Sequence, residues 1–169
     1  MSSAPLNVGI AGRRIFIGKL AGTSVFDPLG EKVGVIHDVV VTFRLHSTAN
    51  VIGFVVEVGP RKRVFLPFTR VTAIEAGSVI TTGLLNIRSF TQRPVETLVI
   101  TELFDREVTM NDGSGTVKIL DVAMQQRRPR DWIISTLHVQ RIRTTALGFK
   151  RGGTTMTVGV DEVSSLLKT

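Results

Sequence analysis

Three histidines, His37, His46 and His138, are the natural candidates for acid–base work in this chain, and no cysteine accompanies them. Without cysteine there is no disulfide, no thiolate metal site and no thiol nucleophile. Serine and threonine are numerous, but none stands in the nucleophile-elbow pattern that presents a hydroxyl on a sharp turn beside a histidine. His37 directly precedes Asp38, and adjacent side chains on a strand point to opposite faces, so these two are not placed to act as a dyad. No catalytic residue, cofactor or metal ligand is assigned, and an enzyme is not expected.

The 16 glycines carry no phosphate-loop signal, because none leads into a Gly-Lys-Ser/Thr stretch after a strand. Gly30, Gly34, Gly113, Gly115, Gly152 and Gly153 read as turn or bulge positions. Asp38 and Asp121 recur at matching places in the chain. A carboxylate beside a tight turn ordinarily accepts backbone N–H groups, and that is the role expected of both.

Charge is more informative. Lys and Arg number 21 against 14 Asp and Glu, for a net charge of +7 and a pI near 10.8. This balance favours an anionic partner and disfavours a calcium or magnesium cage of convergent carboxylates. The cations cluster at Arg13-Arg14, Arg61-Lys62-Arg63, Arg127-Arg128-Pro129-Arg130, Arg141 with Arg143, and Lys150-Arg151. From these, Arg61, Lys62, Arg63, Arg127, Arg128, Arg130, Lys150 and Arg151 are candidate interaction residues. Aromatic residues make up only 6% of the chain and include no tyrosine, so the stacking platforms of single-strand binders are nearly absent. Trp132, the only tryptophan, is either a partner anchor or an internal packing residue.

The elements that hold these residues are short strands. Mean hydropathy is +0.24, yet the densest apolar stretches, Val33 to Phe43 and Val51 to Val58, are broken by His37, Asp38, Thr42 and Glu57. Neither reaches the roughly 20 apolar residues of a membrane span. Met1 to Asn7 lacks the basic start and apolar run of a secretory signal, which places the chain in the cytoplasm, reaching a membrane only through a partner.

Two segments align without a gap at an offset of 83. Leu20, Val25, Gly30, Ile36, Asp38 and Val39 fall on Leu103, Val108, Gly113, Ile119, Asp121 and Val122. Farther on, Leu66, Val71 and Ile74 fall on Val158, Val163 and Leu166 at an offset of 92. The second copy therefore carries an insertion near Ala146 to Gly153, where Lys150-Arg151-Gly152-Gly153 reads as a hairpin tip. Asp27-Pro28-Leu29-Gly30 and Asn111-Asp112-Gly113 are turn sequences at equivalent places.

Asp161 to Leu167 reads as a short closing helix with Asp161 as N-cap. Asn86 to Thr97 is polar, contains Pro94 and reads as the connection. The expected organisation is an all-β pair of small barrels at 13–87 and 98–169 with a linker at 88–97. Units this small are marginal alone and should pack on each other or on something else, a homodimer included.

The run from Ile17 to Val41, with Asp27-Pro28-Leu29-Gly30-Glu31-Lys32-Val33-Gly34 and Asp38-Val39-Val40-Val41, then Val64-Phe65-Leu66-Pro67 and Val71 to Ile74, resembles a PRC-barrel domain. That family includes the cytoplasmic domain of the photosynthetic reaction centre H subunit and the C-terminal barrel of the ribosome maturation factor RimM. The second copy keeps Val108, Gly113 and Asp121-Val122 but has Ser114-Gly115-Thr116-Val117 where the first has Glu-Lys-Val-Gly.

Two such units, with Asn86 to Pro94 between them and Arg130-Asp131-Trp132 in the second, resemble the N-terminal region of actinobacterial MgtE-like magnesium transporter proteins, where barrels precede a helical magnesium-sensing domain and CBS domains. The resemblance implies a non-catalytic regulatory module whose partner is a protein or such downstream domains. The RimM likeness implies an RNA- or ribosome-associated barrel as the alternative, so nucleic acid is the second choice of partner.

Overall fold

In the computed structural model, which describes residues 13–43, 49–83, 88–129, 131–164 and 166, twelve strands form one curled sheet. The first half contributes β1 (Arg14–Phe16), β2 (Ser24–Phe26), β3 (Lys32–Thr42), β4 (Asn50–Glu57), β5 (Arg63–Pro67), β6 (Val71–Glu75) and β7 (Ser78–Thr81). The second contributes β8 (Glu96–Leu98), β9 (Glu107–Thr109), β10 (Thr116–Arg128), β11 (Asp131–Thr144) and β12 (Lys150–Gly159). β5 shows the alternating burial of a strand with one face in water. By contrast, Asp38 to Val41 on β3 are buried without interruption, so this strand is covered on both faces.

The two long hairpins, β3–β4 and β10–β11, repeat each other register for register. Ile36 pairs with Val56 and Asp38 with Val55; 83 positions on, Ile119 pairs with Val139 and Asp121 with His138. Each hairpin carries a bulge at the same place, with His37 or Leu120 as the extra residue just before the aspartate. A bulge interrupts the strict alternation of side chains and re-aims those beyond it. Here it re-aims the aspartate.

The halves do not close separately. β1 leaves its own half and pairs antiparallel with β10, Phe16 opposite Ala123, while β8 crosses the other way and pairs with β3, Leu98 opposite Val40. The segment expected to be a free linker thus contains strand residues Glu96 and Thr97. A further bridge joins the halves where Asn50 pairs with Ile133 and Ile134 N–H donates to the Ala49 carbonyl at 3.0 Å. Asn50 and Ile133 are themselves 83 positions apart, so equivalent residues face each other, as they do across the axis of an isologous dimer. Instead of two self-contained barrels, the chain forms one apolar core that runs through both halves.

Two local expectations need correction. The β11–β12 turn lies at Thr145–Phe149, with Gly148 N–H donating to the Thr145 carbonyl and Thr145 N–H to the Phe149 carbonyl. Gly148 adopts φ +86°, the left-handed position that a three-residue hairpin loop demands. Lys150 to Gly153 lie inside β12, where the register slips between Gln140 and Ile142. A Cβ on Gly152 would come within 2.6 Å of Gln140 Nε2, so the glycine pair serves a bulge.

The expected closing helix is a single 3-10 turn, Val160–Glu162. Beyond it Val163 bridges Met110 and Ser164 N–H donates to the Thr109 carbonyl. Pairing with the edge of β9 occupies the backbone groups a helix would need. Ser165 and Leu167 lie outside the described residues.

Candidate interaction site

The most extensive side-chain contacts are structural, and they belong to the two repeated aspartates. Asp38 is fully buried, and its carboxyl group accepts from Val39 N–H at 2.8 Å, Ile100 N–H at 2.7 Å, Thr101 N–H at 3.0 Å and the Thr101 hydroxyl at 2.7 Å. Ile100 and Thr101 belong to the turn Val99–Leu103 that comes after the crossing strand β8. Asp121 does the reciprocal job, accepting from Val122 N–H at 2.8 Å and from Gly18 N–H at 2.9 Å on the 3-10 turn after β1. Each aspartate therefore fastens the strand received from the other half. Adjacent histidines take no part in these bonds: His37 is the bulge residue, and His138 lies across the strand pair from Asp121. His46 lies outside the described residues.

Trp132 is 4% exposed, which makes it an internal anchor. Its ring lies 6.1 Å from that of Phe68, which lies 5.6 Å from that of Phe54. The Arg13 guanidinium sits over the indole at 5.9 Å and donates to the Ile74 carbonyl. Phe68 from the first half and Trp132 from the second, with Arg13, border a cavity of about 240 Å³ beside the junction.

The basic clusters divide by what neutralises them. Arg127 and Arg128 both reach Asp131, at 3.3 and 3.6 Å, across the tip of the β10–β11 hairpin. Arg130 lies outside the described residues. Lys150 pairs with Glu107 at 3.0 Å. Arg63 pairs with Glu57 at 3.4 Å, an exposed contact worth little. Arg61 and Lys62, at the β4–β5 turn, form no ion pair among the described residues, and Arg61 holds φ +62° there.

These two cations open onto a groove that the sequence alone did not reveal. Residues 88–90 of the connection lie along the outer edge of β5: Phe65 N–H donates to the Arg88 carbonyl, Phe90 N–H to the Arg63 carbonyl, and Val64 bridges Ser89. This sets Phe90 against Phe65, ring centres 6.3 Å apart. Two depressions of about 470 and 440 Å³ adjoin through Ser89 and Phe90. Ile52, Phe65 and Phe90 contribute apolar floor, while Arg61, Lys62, Arg63, Arg88 and Arg93 rim it; Glu96 also lines it, its carboxylate accepting from Arg93 N–H at 2.9 Å. Arg88 and Arg93 also lack an ion-pair partner among the described residues. The signal for this site was present as Arg88-Ser89-Phe90 through Arg93, an aromatic within a basic, polar connection.

No group of three or more metal-ligating side chains converges among the described residues. No helix among them is long and apolar enough to cross a membrane. Geometry of this kind offers a charged, partly apolar trough for another molecule.

Residues 13–84 match the PRC-barrel domain model. The PRC-barrel match covers β1 to β7, although β1 is spent on the other half. Residues 97–169 match a different model, the Actinomycetes SH3 domain, where a second PRC barrel was expected. Both are small barrel-type modules of the kind that mediate interactions. No curated protein matches the chain.

Proposed function

We propose that the chain is a non-enzymatic docking module, built from two related units, that holds an acidic segment of a protein partner in the groove lined by β5, the β4–β5 turn and the connection. The observation that carries this reading is the combination of an apolar floor at Phe65 and Phe90 with a cationic rim on which Arg61, Lys62, Arg88 and Arg93 have no ion-pair partner among the described residues. Apolar floor gives affinity, and unneutralised arginine gives orientation and on-rate toward an acidic sequence. Support for common descent of the two units comes from the hairpin registers and bulges, which recur 83 positions apart.

In this reading the module works in the cytoplasm, and its partner is of the sort found beside such barrels in MgtE-like proteins, a helical or CBS-type regulatory domain. RNA is the less favoured occupant, because the rings of Phe65 and Phe90 pack on each other and Trp132 is buried, leaving few faces for bases.

A photo-crosslinking amino acid in place of Phe90 tests the reading. Crosslinks to an acidic protein segment support it; crosslinks to RNA, or none above a control placed at exposed Thr72, would overturn it.

A further inference from the structure

The β11–β12 hairpin ends in a loop whose chemistry the groove does not use. Leu147 and Phe149 are 84% and 66% exposed, on either side of Gly148. The loop is not slack: besides its two backbone bonds, Phe149 N–H donates to the Thr145 hydroxyl at 3.1 Å. Two large apolar side chains are thus held out in water by a pre-organised turn. A surface leucine alone calls for no explanation, but an adjacent pair on a rigid tip does.

Behind the tip, Arg143 and Arg151 are direct cross-strand partners, and both are exposed. Like charges placed opposite each other weaken a strand pair. Neither has a carboxylate partner among the described residues, whereas neighbouring Lys150 is already paired with Glu107. An unrelieved arginine pair below two exposed apolar groups makes a cationic collar around an apolar wedge.

We propose that this tip is a membrane-surface contact, in which Leu147 and Phe149 enter the interfacial layer of an anionic bilayer and Arg143 and Arg151 engage its headgroup phosphates. A negatively charged lipid plane complements the collar and relieves the arginine repulsion, and its acyl boundary accepts the wedge. A stable protein interface needs a patch of about 800 Å² on each partner, far more than a three-residue loop offers. The tip shares no residue with the groove, so the contact stands independently of the docking reading.

Flotation of the full chain with vesicles of phosphatidylcholine alone, or of phosphatidylcholine with phosphatidylserine, tests this directly. The chain is expected to float with the serine-containing vesicles only, and the L147S/F149S double variant to lose at least about tenfold in apparent affinity, with its far-UV spectrum and melting temperature unchanged. R143Q/R151Q should lose a similar factor and show a weaker dependence on salt. Emission from F149W should shift to the blue on adding anionic vesicles. Absence of flotation, flotation unaltered by L147S/F149S, or an emission unmoved by vesicles would overturn the proposal. Tip-dependent binding to an acidic protein but not to vesicles would overturn it in favour of a protein contact.

Discussion

Asp38 and Thr101, 63 residues apart, are joined by two hydrogen bonds, from the threonine hydroxyl at 2.7 Å and its N–H at 3.0 Å to the same carboxylate oxygen. The contact fastens β8 of the second half onto β3 of the first. Asp121 makes the matching contact with Gly18, so the chain holds itself together by reciprocal exchange of a strand. The two fasteners differ in burial and in the turn that each receives. The turn after β8 is a wide five-residue π turn, and the turn after β1 is a three-residue 3-10 turn, so the former presents two N–H groups to the carboxylate and the latter one.

Removing the buried fastener should cost more than removing the open one. Asp38→Ala strands the Ile100 and Thr101 donors in the interior and is expected to lower stability by about 3 kcal/mol, against about 1 kcal/mol for the partly exposed Asp121→Ala. Urea unfolding of both variants measures the difference. Equal losses would mean that the extra donors at Asp38 contribute nothing.

Gly18 is fixed by its neighbour, since a Cβ there would lie 2.7 Å from Asp121 Oδ2. Gly18→Ala should therefore destabilise by about 1 to 3 kcal/mol, and most of that penalty should vanish in an Asp121→Ala background. A double-mutant cycle reads the coupling, and strict additivity of the two changes would show that the steric clash is not the cause.

Because the core is shared, unfolding should be a single event. Trp132→Ala opens a void between the halves and is expected to cost about 3 to 5 kcal/mol. In the unaltered chain, Trp132 fluorescence and far-UV circular dichroism should report the same midpoint in urea. Two separated transitions would mean that the halves unfold independently.

Asp112, in the turn before β10, has its carboxyl held below the usual range by the Ser114 hydroxyl, then by the Ser114 N–H, with Arg141 adding to the effect. A depressed carboxyl contributes stability above its unfolded value and loses it as pH falls through the folded value. The carboxyl carbon of Asp112 should therefore titrate at a lower pH than in Ser114→Ala, as monitored by NMR. Identical midpoints would remove Ser114 as the cause.

The strands, the turns at Asp27–Gly30 and Asn111–Gly113, and the role of the aspartates as acceptors of backbone N–H groups were all legible in the sequence. Each depends on chemistry within a few residues of the chain. What the aspartates accept from was not legible, because strand exchange leaves no local trace: Asp38 looks the same whether its donors come from β2 or from beyond β8.

The hairpin tip was misread for a related reason. Gly152-Gly153 is a strong turn signal, but a bulge in β12 claimed it, and the real turn, Thr145-Ala146-Leu147-Gly148-Phe149, contains no proline, asparagine or aspartate. The groove was half legible. Arg61 to Arg63 stood out as a cluster, whereas Phe90 matters only because residues 88–90 are laid along the edge of β5.

Whether the groove receives a protein partner is decided by co-purification from the native host, at low and at moderate salt, with the unaltered chain and with the variant R61S/K62S/R88S/F90S. A specific protein should be retained by the unaltered chain at both salt concentrations and lost by the variant, while the variant's melting curve stays cooperative. A partner set unchanged by the four substitutions, or RNA that washes away with salt in place of any protein, would contradict the docking role.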